Sequence, residues 1–197
     1  PGSMPVDVQE ELRRVIPVVE ALVEMKWPVS VDTSKPEVMR AAIGAGATMI
    51  NDVNALRAPG ALEAVAAGGV AACLMHMQGE PRSMQLNPEY HDVVSQVREF
   101  LSQRLHAALE SGISNEQLII DPGFGFGKTQ TQNIQMLRQL GRFCDLGVPV
   151  MVGSPNGASL TAFTVMATES VSRNARSVAR SRCRRPTWLR WSRRTVL

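Results

Sequence analysis

Short apolar runs alternate with helical stretches along most of this chain, and each run closes on or just before a polar residue. The runs are residues 29–32, 47–52, 70–75, 118–121 and 148–152, and the polar residues at their ends are Asp32, Asn51, His76, Asp121 and Ser154. Between them the pattern turns helical. Val8, Leu12, Val15, Ile16, Val19, Leu22 and Val23 fall on one face of a helix over 7–25, with Asp7 placed to cap it. Pro36 suits the first turn of a helix over 36–44, and Gly68-Gly69 closes a short one over 60–67. Val93, Val94, Val97, Phe100, Leu101, Leu105 and Leu109 mark the buried side of a long helix over 88–111, and a further helix is expected over 131–144.

Strands that are apolar on both faces and separated by helices predict a parallel sheet covered by helices. No GxGxxG follows the first run, which argues against a dinucleotide-binding fold. Polar residues gathered at the C-terminal strand ends are what a (β/α)₈ barrel presents at its active face. The expected fold is therefore α/β, an arc of a (β/α)₈ barrel over residues 1–153.

The remainder, 154–197, reads as a separate basic tail. Up to Gly153 nine Arg and three Lys face 17 Asp plus Glu, whereas the tail holds nine Arg and a single acid, Glu169. The net charge of +3 thus comes from the tail. No helical or strand period is sustained there, and Trp188 and Trp191 are expected to be exposed. Cys73, Cys144 and Cys183 form no CxxC or Cys/His ligand cluster and read as reduced thiols. No apolar run approaches the roughly 18–20 residues of a membrane span, and no signal peptide is apparent at Pro1-Gly2-Ser3-Met4. The expected location is the cytoplasm.

Four segments carry chemistry: Ser30-Val31-Asp32-Thr33-Ser34-Lys35-Pro36-Glu37, Ile50-Asn51-Asp52-Val53, Cys73-Leu74-Met75-His76-Met77-Gln78-Gly79 and Asp121-Pro122-Gly123-Phe124-Gly125-Phe126-Gly127-Lys128. In order and spacing they resemble the third- to sixth-strand motifs of the dihydropteroate synthases, enzymes of folate biosynthesis that join a pterin pyrophosphate to p-aminobenzoate. The resemblance implies a partial barrel, about strands three to seven of eight. It implies that Asp121 accepts two N–H donors of the pterin aminopyrimidine edge, a planar charge-assisted contact. Asp32 would accept from another ring N–H, Asn51 would offer its amide, and Met75 would pack on the ring. Phe126 would flank the p-aminobenzoate side. Mg²⁺ on the pyrophosphate would stabilise the departing charge, but the family's metal-site Asn has no counterpart here, so no metal ligand is assigned. Full-length relatives of this kind are homodimers.

Several of these residues also have plainer readings. Asp52 is assigned to structure, His76 is read as structural rather than an acid–base group, and Lys128 as solvent-facing or loop-anchoring. The glycines at 123, 125 and 127 could cradle a phosphate, or simply let backbone approach a ligand.

After Gly153 the resemblance stops. The family's Lys that contacts the pterin falls at Gly157, and its eighth-strand anion-binding residues have no counterpart. An Arg-, Ser- and Trp-rich tail is what GC-rich DNA read out of frame gives, so a frame shift near codon 154 is expected; the alternative is a divergent tail that binds something acidic. The expected consequence is an inactive chain. Competing readings are a non-catalytic pterin-binding protein on the same half-barrel, a tetrahydrofolate-dependent methyltransferase domain, and a nucleic-acid binder using the tail, although the tail lacks a folded basic motif.

Overall fold

The computed structural model describes residues 6–79, 84 and 88–153. Helix α1 (Val8–Glu24) starts at Asp7, whose carboxylate accepts from the Glu10 N–H at 2.9 Å. Helix α2 (Pro36–Gly44) takes Pro36 in its first turn, where a missing N–H costs nothing. Helix α3 (Ala61–Gly68) ends on Gly69 in the left-handed conformation. Strands β1 (Ser30–Asp32), β2 (Met49–Asp52), β3 (Ala71–Met75) and β4 (Leu118–Asp121) form one parallel sheet in sequence order. Each strand lies beside the one before it, as in a barrel wall.

One face of that sheet is packed against helices. Val31, Ile50, Ala72, Leu74, Leu118 and Ile120 share a core with Met39, Val65, Val97, Leu101 and Phe143 from the helical layer. These positions alternate along each strand with residues of the opposite face, where Asp32, Asn51, Cys73, Met75 and Asp121 lie.

Three expected elements differ in extent. Helix α4 (Val93–Glu110) begins later than residue 88, because the Asp92 carboxylate accepts from the Val94 and Ser95 N–H groups and so fixes the cap. The helix expected over 131–144 is two, α5 (Gln130–Arg138) and α6 (Gly141–Cys144). Thr129 and Gln132 start α5 with a capping box, and Gly141, costly inside a helix, marks the second start. The fifth strand, expected over 148–152, is among the described residues a parallel bridge between Ile120 and Val150. Pro149 has no N–H to give a ladder. The Ile120 N–H donates to its carbonyl at 3.0 Å, and the Met151 N–H donates to Ile120 O at 2.8 Å. The expectations for 154–197, Trp188, Trp191 and Cys183 included, fall outside the described residues. Among the described residues no helix is long and apolar enough to cross a membrane.

The turn after β2 holds two consecutive non-glycine residues, Ala55 (φ 52°) and Leu56 (φ 55°), in the left-handed region. Such backbone persists only where its surroundings over-determine it. Here Asp52, fully buried, accepts from the Asn54 N–H with Oδ1 and from the Leu56 N–H with Oδ2, each at 2.8 Å. From α4, Arg104 donates to the carbonyls of Ala55 (2.8 Å) and Leu56 (3.1 Å). Asp52 is structural, as its position suggests. Replacing it, Asp52→Ala, is expected to lower the unfolding free energy by roughly 2–4 kcal/mol. The measurement is the urea midpoint, and a loss under about 1 kcal/mol would show that the turn does not depend on this carboxylate.

Candidate functional site

The parallel register decides which side chains meet. Asp32 is paired with Asn51, Asn51 with Cys73, and Met75 with Asp121. Partners in register point the same way, so all five occupy the face turned from the helices. Asn51 Nδ2 donates to Asp32 Oδ2 at 3.0 Å, while Asn51 Oδ1 is buried without a partner among the described residues. Asp121 is buried; its Oδ1 accepts from the Gly123 N–H at 2.7 Å, and no described residue donates to Oδ2. Met75, Met77 and Met84 form a small buried cluster, and Phe126 packs against it, which brings Phe126 to the Met75 side of the site.

The electrostatics follow from this burial. Desolvation pushes Asp121 up to about 6, opposed by its hydrogen bond from Gly123 and by the Lys128 charge. Asp32, exposed as a residue, has its carboxyl raised as well, by partial desolvation that outweighs the Asn51 hydrogen bond. His76 is pushed down to about 3, first by burial and then by Lys128, and its ring stands edge-on to Phe100 at 4.9 Å. It is a neutral packed ring, in keeping with the structural reading.

Of the two readings of Lys128, solvent-facing or loop-anchoring, the structure supports the second. Lys128 is only 3% exposed and anchors the loop from inside, bonded to the carbonyls of Gly123 and Phe126. A charged residue after a glycine-rich run looks like surface in sequence; what buries it is His76, brought close by the β3–β4 pairing. Cys73, a reduced thiol by its sequence context, also belongs to the site face. It is fully buried at the centre of the site face, its thiol held well above the ordinary range by desolvation and then by the nearby carboxylates.

A concavity of about 340 Å³ opens beside Asp32, with Glu11, Arg14, Thr33, Ser34 and Val53 also in its wall. Asn51, Met75 and Asp121 do not line it. Its polar side is tied together: Thr33 Oγ1 donates to Glu11 at 2.5 Å and Lys35 is ion-paired to the same carboxylate. Among the described residues no group of three His, Cys, Asp or Glu side chains could hold a metal ion.

The glycines of the 121–128 loop answer to backbone proximity. A Cβ on Gly123 (φ +69°) would fall 1.9 Å from His76 O, and one on Gly127 (φ +63°) 2.5 Å from Gln78 O. The loop lies against the backbone that follows β3, which is possible only without side chains there.

Repeated βα units with acidic and amide side chains on one sheet face and a glycine loop beside them define a barrel-type small-molecule site. The chain belongs to the family described as pterin binding enzyme, whose profile matches residues 1–184. It is 48% identical to the dihydropteroate synthase of Escherichia coli K12 over 155 residues, which is 78% of this chain and 55% of that protein. Its structure is similar to that of Xanthomonas albilineans dihydropteroate synthase with 4-aminobenzoic acid (TM-score 0.72, 57% identity, 78% of this chain and 54% of that one). It also resembles the Thermus thermophilus enzyme in complex with 6HMPPP (TM-score 0.71, 44% identity, 75% and 59%). The sheet is thus part of a (β/α)₈ barrel, and the chain spans about half the length of the curated relatives it matches. The family profile reaches past Gly153, where the sequence pattern places a domain boundary.

Two outcomes are expected. Gly123→Ala forces a Cβ against backbone in a left-handed position, and should cost roughly 2–5 kcal/mol in chemical denaturation; a loss below about 1 kcal/mol would mean the loop moves freely off His76. The second concerns pH. A carboxyl raised in the folded state contributes stability that is fully present below its unfolded value of 3.8 and is lost as pH rises through about 6. His76, depressed to about 3, acts in the opposite direction over an overlapping range, so the comparison must be with a variant. Relative to the native chain, Asp121→Asn should gain on the order of 2–3 kcal/mol between pH 4 and pH 7. A constant difference across that range would show that Asp121 titrates normally.

Proposed function

We propose that this chain is the central, pterin-recognising part of a dihydropteroate synthase. The reaction would condense 6-hydroxymethyl-7,8-dihydropterin pyrophosphate with p-aminobenzoate to give dihydropteroate. One observation carries the reading: Asp121 is buried with Oδ1 accepting from Gly123 and with no donor to Oδ2 among the described residues, on the same sheet face as the Asp32–Asn51 pair. A buried carboxylate with a free oxygen suits a ligand edge rich in N–H donors, and the unpartnered Asn51 Oδ1 adds another acceptor. An aminopyrimidine ring has that edge. Met75 would lie against the ring and Phe126 beside the p-aminobenzoate. The complexes of the similar enzymes with 4-aminobenzoic acid and with 6HMPPP support the same pair of ligands.

In this reading Asp121 and Asp32 hold and orient the pterin while its methylene carbon loses pyrophosphate and gains the amine nitrogen. Mg²⁺ would arrive with the pyrophosphate and offset its charge. Among the described residues no group of His, Cys, Asp or Glu side chains fits it. Asp121 must be ionised for Oδ2 to accept from the ring while Oδ1 accepts from Gly123, so pterin affinity should fall as pH drops through about 6. The setting would be the cytoplasm, and the complete enzyme a homodimer. This chain by itself would not turn over, because Gly157 stands where the family's pterin-contacting Lys falls and its eighth-strand anion-binding residues have no counterpart in the sequence.

The test is a fluorescence titration with 6-hydroxymethylpterin. Saturable binding is expected, weakened roughly 10–100-fold by Asp121→Asn; equal binding by the variant would sink the site. In the same preparation, pterin pyrophosphate, Mg²⁺ and labelled p-aminobenzoate should yield no dihydropteroate. Product whose formation is abolished by Asp121→Ala would overturn the inactivity.

A further inference from the structure

Lys128 is a buried ammonium to which no carboxylate is bonded among the described residues. Its Nζ donates to the carbonyl oxygens of Gly123 (2.8 Å), Phe126 (2.9 Å) and His76 (3.3 Å), and lies 3.1 Å from His76 Nδ1. An ammonium has three N–H groups and no acceptor. The three carbonyls match its three donors, and while the lysine is charged His76 Nδ1 faces it as a further acceptor. Burying a charge in this way is costly unless it is fully hydrogen-bonded, which makes the residue an expensive filler and a good clamp.

What it clamps is the site loop. The Gly123 residue that gives its carbonyl to Lys128 gives its N–H to Asp121 Oδ1 at 2.7 Å. The Phe126 residue that gives its carbonyl to Lys128 packs its ring on the Met75 cluster. His76 adds the end of β3, whose last residue pairs with Asp121. We propose that Lys128 is a positioning residue: one ammonium sets the 121–127 loop so that Asp121 presents Oδ2 and Phe126 stays at the Met75 side. The inference rests on the pterin reading for its consequence, but not for its geometry.

The groups acting on this ammonium can be named. Asp121 from β4 favours its charge, and burial opposes it, drawing Lys128 down to about 7. Lys128 in turn lowers Asp121 and His76, and Arg57 also lowers His76. Loss of the Lys128 charge should therefore raise the Asp121 midpoint, a response that an uncharged prop would not give.

The experiment uses the full chain and Lys128→Met, which keeps the length of the side chain. The variant is expected to bind 6-hydroxymethylpterin about 10–100-fold more weakly, with the Asp121 carboxyl, followed by ¹³C NMR, titrating at higher pH than in the native chain. Affinity within about twofold of native together with an unmoved Asp121 midpoint would overturn the proposal. A variant that fails to fold leaves a test in the native chain: the Gly123 and Phe126 amide ¹⁵N shifts should share one transition between about pH 6 and 11 as Lys128 titrates. Independent or absent transitions would refute the clamp. Should the native chain itself fail to bind the pterin, the pterin reading falls, and the carboxyl midpoint and amide shifts still decide the role of Lys128.

Discussion

Parallel pairing in register makes every neighbour share a face, and the rest of this molecule follows from that constraint. Because Asp32, Asn51, Cys73, Met75 and Asp121 stand at connected register positions, placing one of them places all. The alternate positions, from Val31 to Ile120, are left to the helices and hold the core. A slip of one residue in β1 or β4 would put a carboxylate into that core and Val31 or Ile120 into the site. The hydrophobic layer thus fixes the polar one: burial of Ile50 and Leu74 holds Asn51 and Met75 on the other side.

The fold was legible in the sequence because its signals are local and agree with one another. Asp7, Pro36 and Gly69 act at helix ends through their own backbone chemistry, and the apolar runs are too short to be anything but strands when helices flank them. The misjudged limits lie where tertiary context decides. Pro149 cannot feed a ladder, Gly141 restarts a helix, and Asp92 caps α4 inside the span expected to be helical. At the site, Asp32, Asn51, Met75, Asp121 and Phe126 stood in recognisable motifs. Lys128 stood in one too, but its partners on His76 are fifty-two positions away, and no local pattern shows that a lysine has been taken inside.

The buried charges around β4 are arranged as a compromise. Asp121 and Lys128 each lose hydration, each eases the other's cost, and neither is bonded to the other. Peptide groups stand between them instead: the Gly123 N–H faces the carboxylate and the Gly123 carbonyl faces the ammonium. An ion pair in direct contact would have used up both partners. Separation by one polarised peptide leaves Asp121 with an oxygen in hand, while the field of the lysine still reaches it.

The left-handed turn at Ala55 and Leu56 has a consequence for how the chain comes together. Its carbonyls are met by Arg104, which lies 48 or 49 positions further along the chain. During synthesis, the end of β2 must therefore wait for most of α4 to leave the ribosome before its loop can settle. Until then Asp52 alone holds the two strained residues, and the site's second strand has an unfinished end. Any nascent chain halted between these points would carry Asn51 in place and its supporting turn unlocked, so the unit of assembly here is longer than a single strand and helix.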